Sequence, residues 1–181
     1  MELVKGRPER VTDRLAKEIR VYDLLDSLGV AYERVDHEAA MTMAACEEID
    51  KVLQATTCKN LLLCNRQQTA FYLLLLKPLT PFRTAVVSKL LGSSRLSFAP
   101  EDVLEELLHL TSGSVSPLGL LFDDHHQITL CYEQAVLDTA RIAFHPCDNS
   151  ATVIFEQKVF WEKVLNSLDV TPVCITLPGN D

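Results

Sequence analysis

Three short segments carry residue types that could do chemistry together. Lys59 and Asn60 open an otherwise apolar run that ends at Leu63, where an ammonium group and a carboxamide must leave the core or find polar partners. The segment 112–119 places glycines and small hydroxyl residues where backbone N–H groups can approach a ligand closely. His145 stands in a proline-containing turn and is the strongest acid or base candidate.

The glycine-rich segment suits an oxyanion hole, because aligned N–H donors stabilise the negative charge that grows on an ester carbonyl oxygen during attack by water. A hydrolytic site is therefore one interpretation of the three segments. Each segment also has a purely structural interpretation. Lys59 can be a solvated strand end, the loop can be a helix C-cap followed by a rigid turn, and His145 can shape its turn.

Other reactive side chains fit structural roles better. Cys147 could pair with His145 as a nucleophile, but nothing in the sequence indicates a third, orienting group. The run Asp123 to His126 is typical of an acidic, solvated turn rather than of converging metal ligands. His109 lies on a leucine-rich helix and is expected to be structural, whereas His37 lies in a predicted loop and remains a candidate for the site.

Bulk properties bound the function classes. The 181 residues suit one domain spanning 1–181, with a core at about 21–177, and 48% of them are apolar. No apolar run reaches the roughly 20 residues that span a bilayer, and the first residues lack a secretory pattern, so a cytosolic location is expected. A net charge of −8 argues against wrapping long nucleic acids but allows contact with a nucleic-acid end.

The six cysteines show no Cys-x-x-Cys pair and no matching histidine spacing, so neither a zinc site nor a disulfide framework is indicated. The sequence also has no Gly-x-Gly-x-x-Gly or Walker loop, so no nucleotide cofactor is implied. We therefore expect neither a metal nor a cofactor.

The site must be positioned by alternating helices and strands. The pattern predicts helices from the Thr12 cap to Gly29, after Thr42, over Arg83–Leu91, from Pro100 to about Leu110 and over Lys158–Leu168. It predicts strands at Val30–Val35, Lys59–Cys64, Thr69–Leu76, Leu118–Phe122, Ile128–Tyr132, Arg141–Phe144, Thr152–Phe155 and Val173–Leu177. Hairpins outnumber regular βαβ units, so we expect a single α/β (α+β) domain with a mixed, mainly antiparallel sheet flanked by helices.

In this order and spacing, the segments Lys59–Leu63, Gly113–Gly119 and His145–Asn149 resemble the free-standing prolyl-tRNA editing family. That family is related to the insertion editing domain of bacterial prolyl-tRNA synthetases. The resemblance extends from about Val21 to Leu168, and the segment from Asp36 to Thr42 resembles the loop before the family's second helix. Residues 43–46, Met-Ala-Ala-Cys, depart from the acidic residues that relatives often carry there, which puts helix capping in doubt.

The resemblance implies a trans-acting deacylase that hydrolyses alanyl-tRNA(Pro) and spares the prolyl ester. Related branches act on cysteinyl-tRNA(Pro), and the His-Pro-x-x-Asn segment is more similar to the alanine branch. The resemblance implies that Lys59 is needed for activity and that the loop from Gly113 to Pro117 shapes the site. Together with the residue chemistry, it leads us to predict Lys59, Asn60, Gly113 and His145 as catalytic residues. The predicted substrate-binding residues are His37, Thr42, Ser114, Val115, Ser116, Pro117 and Asn149.

The implied partner is the acceptor end of tRNA(Pro), which prolyl-tRNA synthetase or an elongation factor could hold during the reaction. Neither DNA nor a membrane is an expected partner, and the chain is expected to be a monomer or a homodimer. Three alternatives stay open at this point: a cysteinyl-tRNA(Pro) deacylase, a non-catalytic tRNA- or synthetase-binding module of the same fold, and a thiol-dependent hydrolase that uses Cys147.

Overall fold

The computed structural model describes residues 2–39 and 50–178. The strands are β1 (Leu3–Lys5), β2 (Glu33–Asp36), β3 (Thr56–Thr57), β4 (Lys59–Asn65), β5 (Phe71–Leu76), β6 (Leu96–Phe98), β7 (Ile128–Glu133), β8 (Arg141–Phe144), β9 (Ala151–Glu156) and β10 (Val173–Ile175). The α-helices are α1 (Ala16–Ser27), α2 (Thr84–Leu90), α3 (Glu101–Leu108) and α4 (Leu165–Ser167). Two 3₁₀ segments, Pro117–Phe122 and Gln134–Asp138, and a π-helical segment, Val159–Val164, complete the regular structure of these ranges.

The strands form two mixed sheets. The first sheet has the order β1-β2-β9-β8-β3, and only its β3–β8 pair is parallel among the described strands. The second sheet has the order β10-β7-β5-β4-β6, with the antiparallel β4–β5 hairpin beside the parallel pairs β5–β7 and β7–β10. The predicted fold class is confirmed, although the strands divide between two sheets.

The β4–β5 hairpin is apolar on both faces because both of its faces are covered. Leu62 and Leu73 are paired neighbours that face a core shared with the first sheet, α1 and α3. Leu61 and Leu74 face the opposite way, into a second cluster to which α2 contributes Val87. Since side chains alternate along a strand, this pattern assigns Asn60 to the inner face and Lys59 to the outer, α2-covered face.

Two predicted features are wrong. Residues Leu118 to Phe122 form 3₁₀ helix rather than strand, because Pro117 occupies the first helical turn and the Ser116 side chain accepts a hydrogen bond from the Leu118 N–H. Thr12 does not cap α1. The Arg14 N–H donates to the Val11 carbonyl, so these residues form a separate turn ahead of the helix.

Other boundaries shift by a few residues. The helix opened by Pro100 ends at Leu108 because His109 adopts a left-handed conformation, with φ of 55°. The last predicted helix is π-helical over its first part. Residues 50–53 are helical, in agreement with the helix expected after Thr42, whereas Thr42 itself and residues 43–46 lie outside the described residues.

Candidate functional site

The first two residues of β4 contact different parts of the fold. The Lys59 Nζ atom donates to the Thr80 carbonyl at 3.2 Å, on the side where the chain leaves β5 for α2. The Asn60 Nδ2 atom donates to the Val115 carbonyl at 3.0 Å. One strand end is thereby connected both to the turn after β5 and to the glycine loop at 112–119.

The Asn60 carboxamide has unused hydrogen-bonding capacity. Its Oδ1 atom is buried, and no described residue donates a hydrogen bond to it. A buried acceptor without a donor costs about 1–3 kcal/mol, so proteins seldom retain one without a reason. A donor supplied by a ligand, such as an amino group or a water, would remove that cost.

The glycine loop leaves several backbone donors available. Gly113 has φ of +86°, a conformation that favours glycine. The buried Ser114 and Ser116 hydroxyls stabilise the loop itself, through Thr111 and the Leu118 N–H respectively. In the described part of the chain, no acceptor is within hydrogen-bonding geometry of the Gly113, Val115 or Ser116 N–H groups.

The loop also meets the turn that follows β8. A methyl group built on Gly113 would lie 3.7 Å from the Asn149 Nδ2 atom, so the Asn149 side chain lies next to the loop backbone. Pro117, the last loop residue named in the predicted site, is buried at the start of the 3₁₀ segment and fixes the direction in which the loop ends. The sequence-distant Gly113 and Asn149 are therefore neighbours.

His145 is held in a defined tautomer. Its Nδ1 atom lies 2.8 Å from the Ala151 carbonyl, which can only accept, so Nδ1 carries the proton and Nε2 is the ring's acceptor. Burial lowers the pKa of His145 more than the Ala151 hydrogen bond raises it, and the nearby His37 ring adds a further, smaller lowering. The ring is therefore neutral at pH 7 and can accept a proton through Nε2.

His37 stands beside His145, with 6.0 Å between the ring centroids. Its Nδ1 atom lies 2.7 Å from the Glu38 carbonyl and its Nε2 atom lies 2.8 Å from the Thr152 hydroxyl. Because the Glu38 carbonyl can only accept, Nδ1 carries the proton and donates to it, so the Thr152 hydroxyl donates to Nε2. Both nitrogens of His37 are thus bonded to the protein, which favours a structural role beside the His145 ring.

The support of Lys59 was not predicted from the sequence. Glu133, at the end of β7 and only 1% exposed, accepts hydrogen bonds at 2.5 Å from the Lys77 N–H and from the Thr80 hydroxyl. These bonds fix the turn whose Thr80 carbonyl receives Lys59. The signal in the sequence is an acidic residue that ends an apolar strand, which is costly to bury unless it has a structural task.

The structural interpretations of the remaining candidates agree with their surroundings. Cys147 is fully buried, and burial raises the pKa of its thiol to about 12, so little thiolate forms at neutral pH. The Asp123 carboxylate accepts hydrogen bonds from the Gln127 and Ile128 N–H groups, as in a capped turn. The His109 ring packs edge-on against Phe122.

The profile of the aminoacyl-tRNA editing domain family matches residues 37–160. The chain belongs to this family. The match begins at His37 and includes Lys59, Gly113, His145 and Asn149, so all of the segments brought together above lie within the editing domain.

Relatives of the editing domain confirm the resemblance seen in the motifs. The chain is 33% identical over 130 residues to the prolyl-tRNA editing protein ProX of Acetoanaerobium sticklandii, covering 72% of this chain and 79% of that protein. It is 27% identical over 141 residues to the prolyl-tRNA synthetase associated domain-containing protein 1 of Danio rerio, covering 77% of this chain and 75% of that protein.

The fold agrees as well. A crystal structure of a proposed trans-editing enzyme for prolyl-tRNA synthetase superposes with a TM-score of 0.67 at 15% identity, covering 90% of this chain and 98% of that one. In the ranges that the structure describes, no helix is long and apolar enough to cross a membrane.

Proposed function

We propose that this editing domain hydrolyses the aminoacyl ester of mischarged tRNA, with alanyl-tRNA(Pro) as the substrate. The observation that carries the proposal is the hydrogen bond from Asn60 to Val115, because it joins the start of β4 to a loop with N–H donors that no described residue accepts from. The names of the prolyl-tRNA editing relatives support tRNA(Pro) as the tRNA.

In the proposed reaction, water adds to the ester carbonyl carbon and the bond to the ribose oxygen breaks. That oxygen takes a proton, so the products are free alanine and tRNA. The N–H groups of Gly113 and its loop neighbours hold the oxygen that becomes negative. An aminoacyl ester is already activated, so positioning and charge stabilisation suffice without a nucleophilic side chain.

The other site residues orient the reactants. The Asn60 Oδ1 atom accepts a hydrogen bond from the substrate amino group or from the attacking water. The Nε2 atom of neutral His145 accepts from the same water, and the Lys59 ammonium group contacts an oxygen of the terminal phosphate or of the ester. The neighbouring ribose hydroxyl assists the proton transfer. Proline is rejected by the size of the pocket, since its ring is larger than the alanine side chain.

Ester loss from alanyl-, cysteinyl- and prolyl-tRNA(Pro) tests the proposal. We expect fast loss of alanine, slow loss of proline and strongly reduced alanine release by Lys59→Ala. Lys158→Ala is the matched control, because Lys158 is an exposed lysine that precedes the π-helical segment and forms no ion pair within the described residues. No turnover of any ester would exclude the deacylase. Faster loss of cysteine than of alanine would assign the protein to the cysteine branch, and full activity of Lys59→Ala would remove Lys59 from the mechanism.

A further inference from the structure

The charges of this acidic protein are strongly segregated along the chain. Residues 51–100 contain no aspartate or glutamate, whereas all 25 acidic residues lie in the remainder together with the other ten basic ones. The seven cations of this stretch are Lys51, Lys59, Arg66, Lys77, Arg83, Lys89 and Arg95. A net charge of −8 therefore conceals one strongly positive segment.

Most of the segment, residues 59–98, forms β4, β5, α2 and β6 of the second sheet, and α2 covers the outer face of that sheet. Lys51 and β3 precede this part, and β3 belongs to the first sheet. The Ser88 hydroxyl of α2 accepts a hydrogen bond from the Leu96 N–H of β6, and the Phe82 and Phe98 rings meet with centroids 5.8 Å apart. Arg83, Lys89 and Arg95 thus lie on or directly beside two elements, α2 and β6, that are bonded to each other.

The exposed cations of this segment have few acidic partners, whereas four arginines elsewhere in the chain are paired. Arg7, Arg14, Arg34 and Arg141 each form an ion pair with an aspartate or a glutamate. Within residues 2–39 and 50–178, the exposed Arg66, Arg83, Lys89 and Arg95 form none. Lys77 approaches Asp138 only to 3.9 Å at an exposed position. The positive charge of this layer is left largely unneutralised by the protein.

Exposed apolar side chains accompany the cations. Leu79, in the turn that carries Thr80, is 83% exposed, and Phe98 is 59% exposed. Phe98 pairs with Leu63 of β4. Leu63 is four residues from Lys59, so the two lie about 13 Å apart along the strand. A combination of aromatic and basic groups is typical of surfaces that bind nucleotide bases and phosphates.

We propose that this surface binds the phosphate backbone of the tRNA acceptor stem while the 3′ end reaches the site at Lys59. We call it the basic face and define it by Arg66, Lys77, Arg83, Lys89, Arg95 and Phe98. The inference rests on the proposed function, because an ester held at Lys59 brings the phosphates of its own acceptor end to the adjoining turn and to α2. The acidic remainder of the protein repels the rest of the RNA and so helps to orient it.

An acidic protein surface would also be attracted to these cations. The continuity of the basic face with Lys59 favours the nucleic acid, since Lys59 bonds to Thr80 in the turn that leads directly to Arg83. A protein partner would be indicated instead if the basic face proved irrelevant to RNA.

The test compares two triple variants in binding to uncharged tRNA(Pro). The first, Arg83→Gln/Lys89→Gln/Arg95→Gln, removes three exposed cations from the basic face. The matched control, Arg10→Gln/Lys158→Gln/Lys163→Gln, removes three exposed cations that also lack ion pairs in the described structure and lie outside it. Both variants change the net charge equally, so a difference between them reports position rather than total charge.

We expect the first variant to bind tRNA at least about tenfold more weakly than the wild type at ~0.1 M salt. The slope of log K against log salt concentration should be smaller in magnitude by about two to three, because each lost phosphate contact releases roughly one counterion fewer. The control should bind like the wild type. Unchanged affinity and slope in the first variant would overturn the proposal, and so would equal weakening of the two variants.

Hydrolysis separates this proposal from the proposed function. On alanyl-tRNA(Pro) the first variant should lose kcat/KM, while on the alanyl ester of adenosine, which has no stem, it should match the wild type. Loss on both substrates would contradict the assignment to stem binding. If the wild type binds tRNA through the basic face but hydrolyses neither ester, the function fails and the basic face stands. If the first variant hydrolyses both at wild-type rates, the basic face fails and the function stands.

Discussion

Asn60 donates a hydrogen bond from Nδ2 to the main-chain carbonyl of Val115, 3.0 Å away, and so attaches the central hairpin to the glycine loop. The same side chain presents its buried Oδ1 atom without a donor from any described residue. One amide therefore bonds to the glycine loop through its nitrogen, while its oxygen has no donor among the described residues. This division of roles makes Asn60 the most informative position of the site.

Replacing Asn60 by alanine should lower kcat/KM for alanyl-tRNA(Pro) by about tenfold to a hundredfold, because the loop donors lose their position and the substrate loses an acceptor. Asn60→Asp keeps the shape but has no N–H to offer Val115, so it should not rescue activity. Single-turnover deacylation measures the effect. Wild-type rates in Asn60→Ala would show that the Val115 contact is structural only.

Gly113→Ala should impair the reaction more than it destabilises the fold. The added methyl group is at ordinary contact distance from Asn149, so the cost arises from the left-handed backbone and is roughly 1–2 kcal/mol. The loop can relieve this strain only by moving its backbone N–H groups. Gly29→Ala is the control, because Gly29 has φ of +62° and open space around it at the end of α1. Thermal unfolding should show similar losses for both variants. Only Gly113→Ala should lose kcat, and equal activities would speak against the oxyanion role.

The periodic parts of the fold were predictable from the sequence, and the parts that depend on a single side chain were not. The β4–β5 hairpin follows from two continuous apolar runs around a polar turn, and such runs need cover on both faces. Leu118 to Phe122 has the same apolar character, yet Pro117 and the Ser116 hydroxyl turn it into 3₁₀ helix. Short edge strands such as β3 carry too few residues to show a period.

The site shows the same division. Lys59, Gly113 and His145 stand out because their residue types are unusual for their positions. The resemblance to the editing family indicated that they belong to one site. Glu133 did not stand out, since its contacts with Lys77 and Thr80 come from a strand pairing across 50 or more residues that no local pattern reports. Residues that act through another residue require the tertiary structure.

Glu133→Ala should affect both stability and Lys59. It leaves the half-buried Lys77 N–H and the buried Thr80 hydroxyl without their acceptor, which lowers the free energy of unfolding by about 2–4 kcal/mol, measured by denaturant unfolding. The loosened turn should also raise KM, because the Thr80 carbonyl no longer holds the Lys59 ammonium group in place. Glu133→Gln retains an acceptor oxygen and should restore most of both quantities. A stable Glu133→Ala protein with an unchanged KM would contradict the positioning role.

The pH dependence should reveal His145. Burial and the His37 ring lower its pKa below the ordinary value of 6.5, opposed by the Ala151 hydrogen bond and the Asp148 charge. The ring is therefore neutral and active at pH 7, and kcat/KM should fall only as the pH drops below 6.5. The acidic limb should disappear in His145→Asn together with most of the rate, whereas a turn-shaping role alone would leave the limb in place.

The free energy of unfolding should also depend on the protonation of His145. Because the pKa of His145 is lower in the folded than in the unfolded protein, the unfolded chain takes up the proton first as the pH falls below 6.5. The stabilisation associated with the neutral ring is thus complete above that pH and is lost on acidification. His145→Asn should lose less stability between pH 7 and pH 5 than the wild type, relative to its own value at pH 7. Parallel unfolding curves for the two proteins over that range would show that the acidic limb of activity arises from another group.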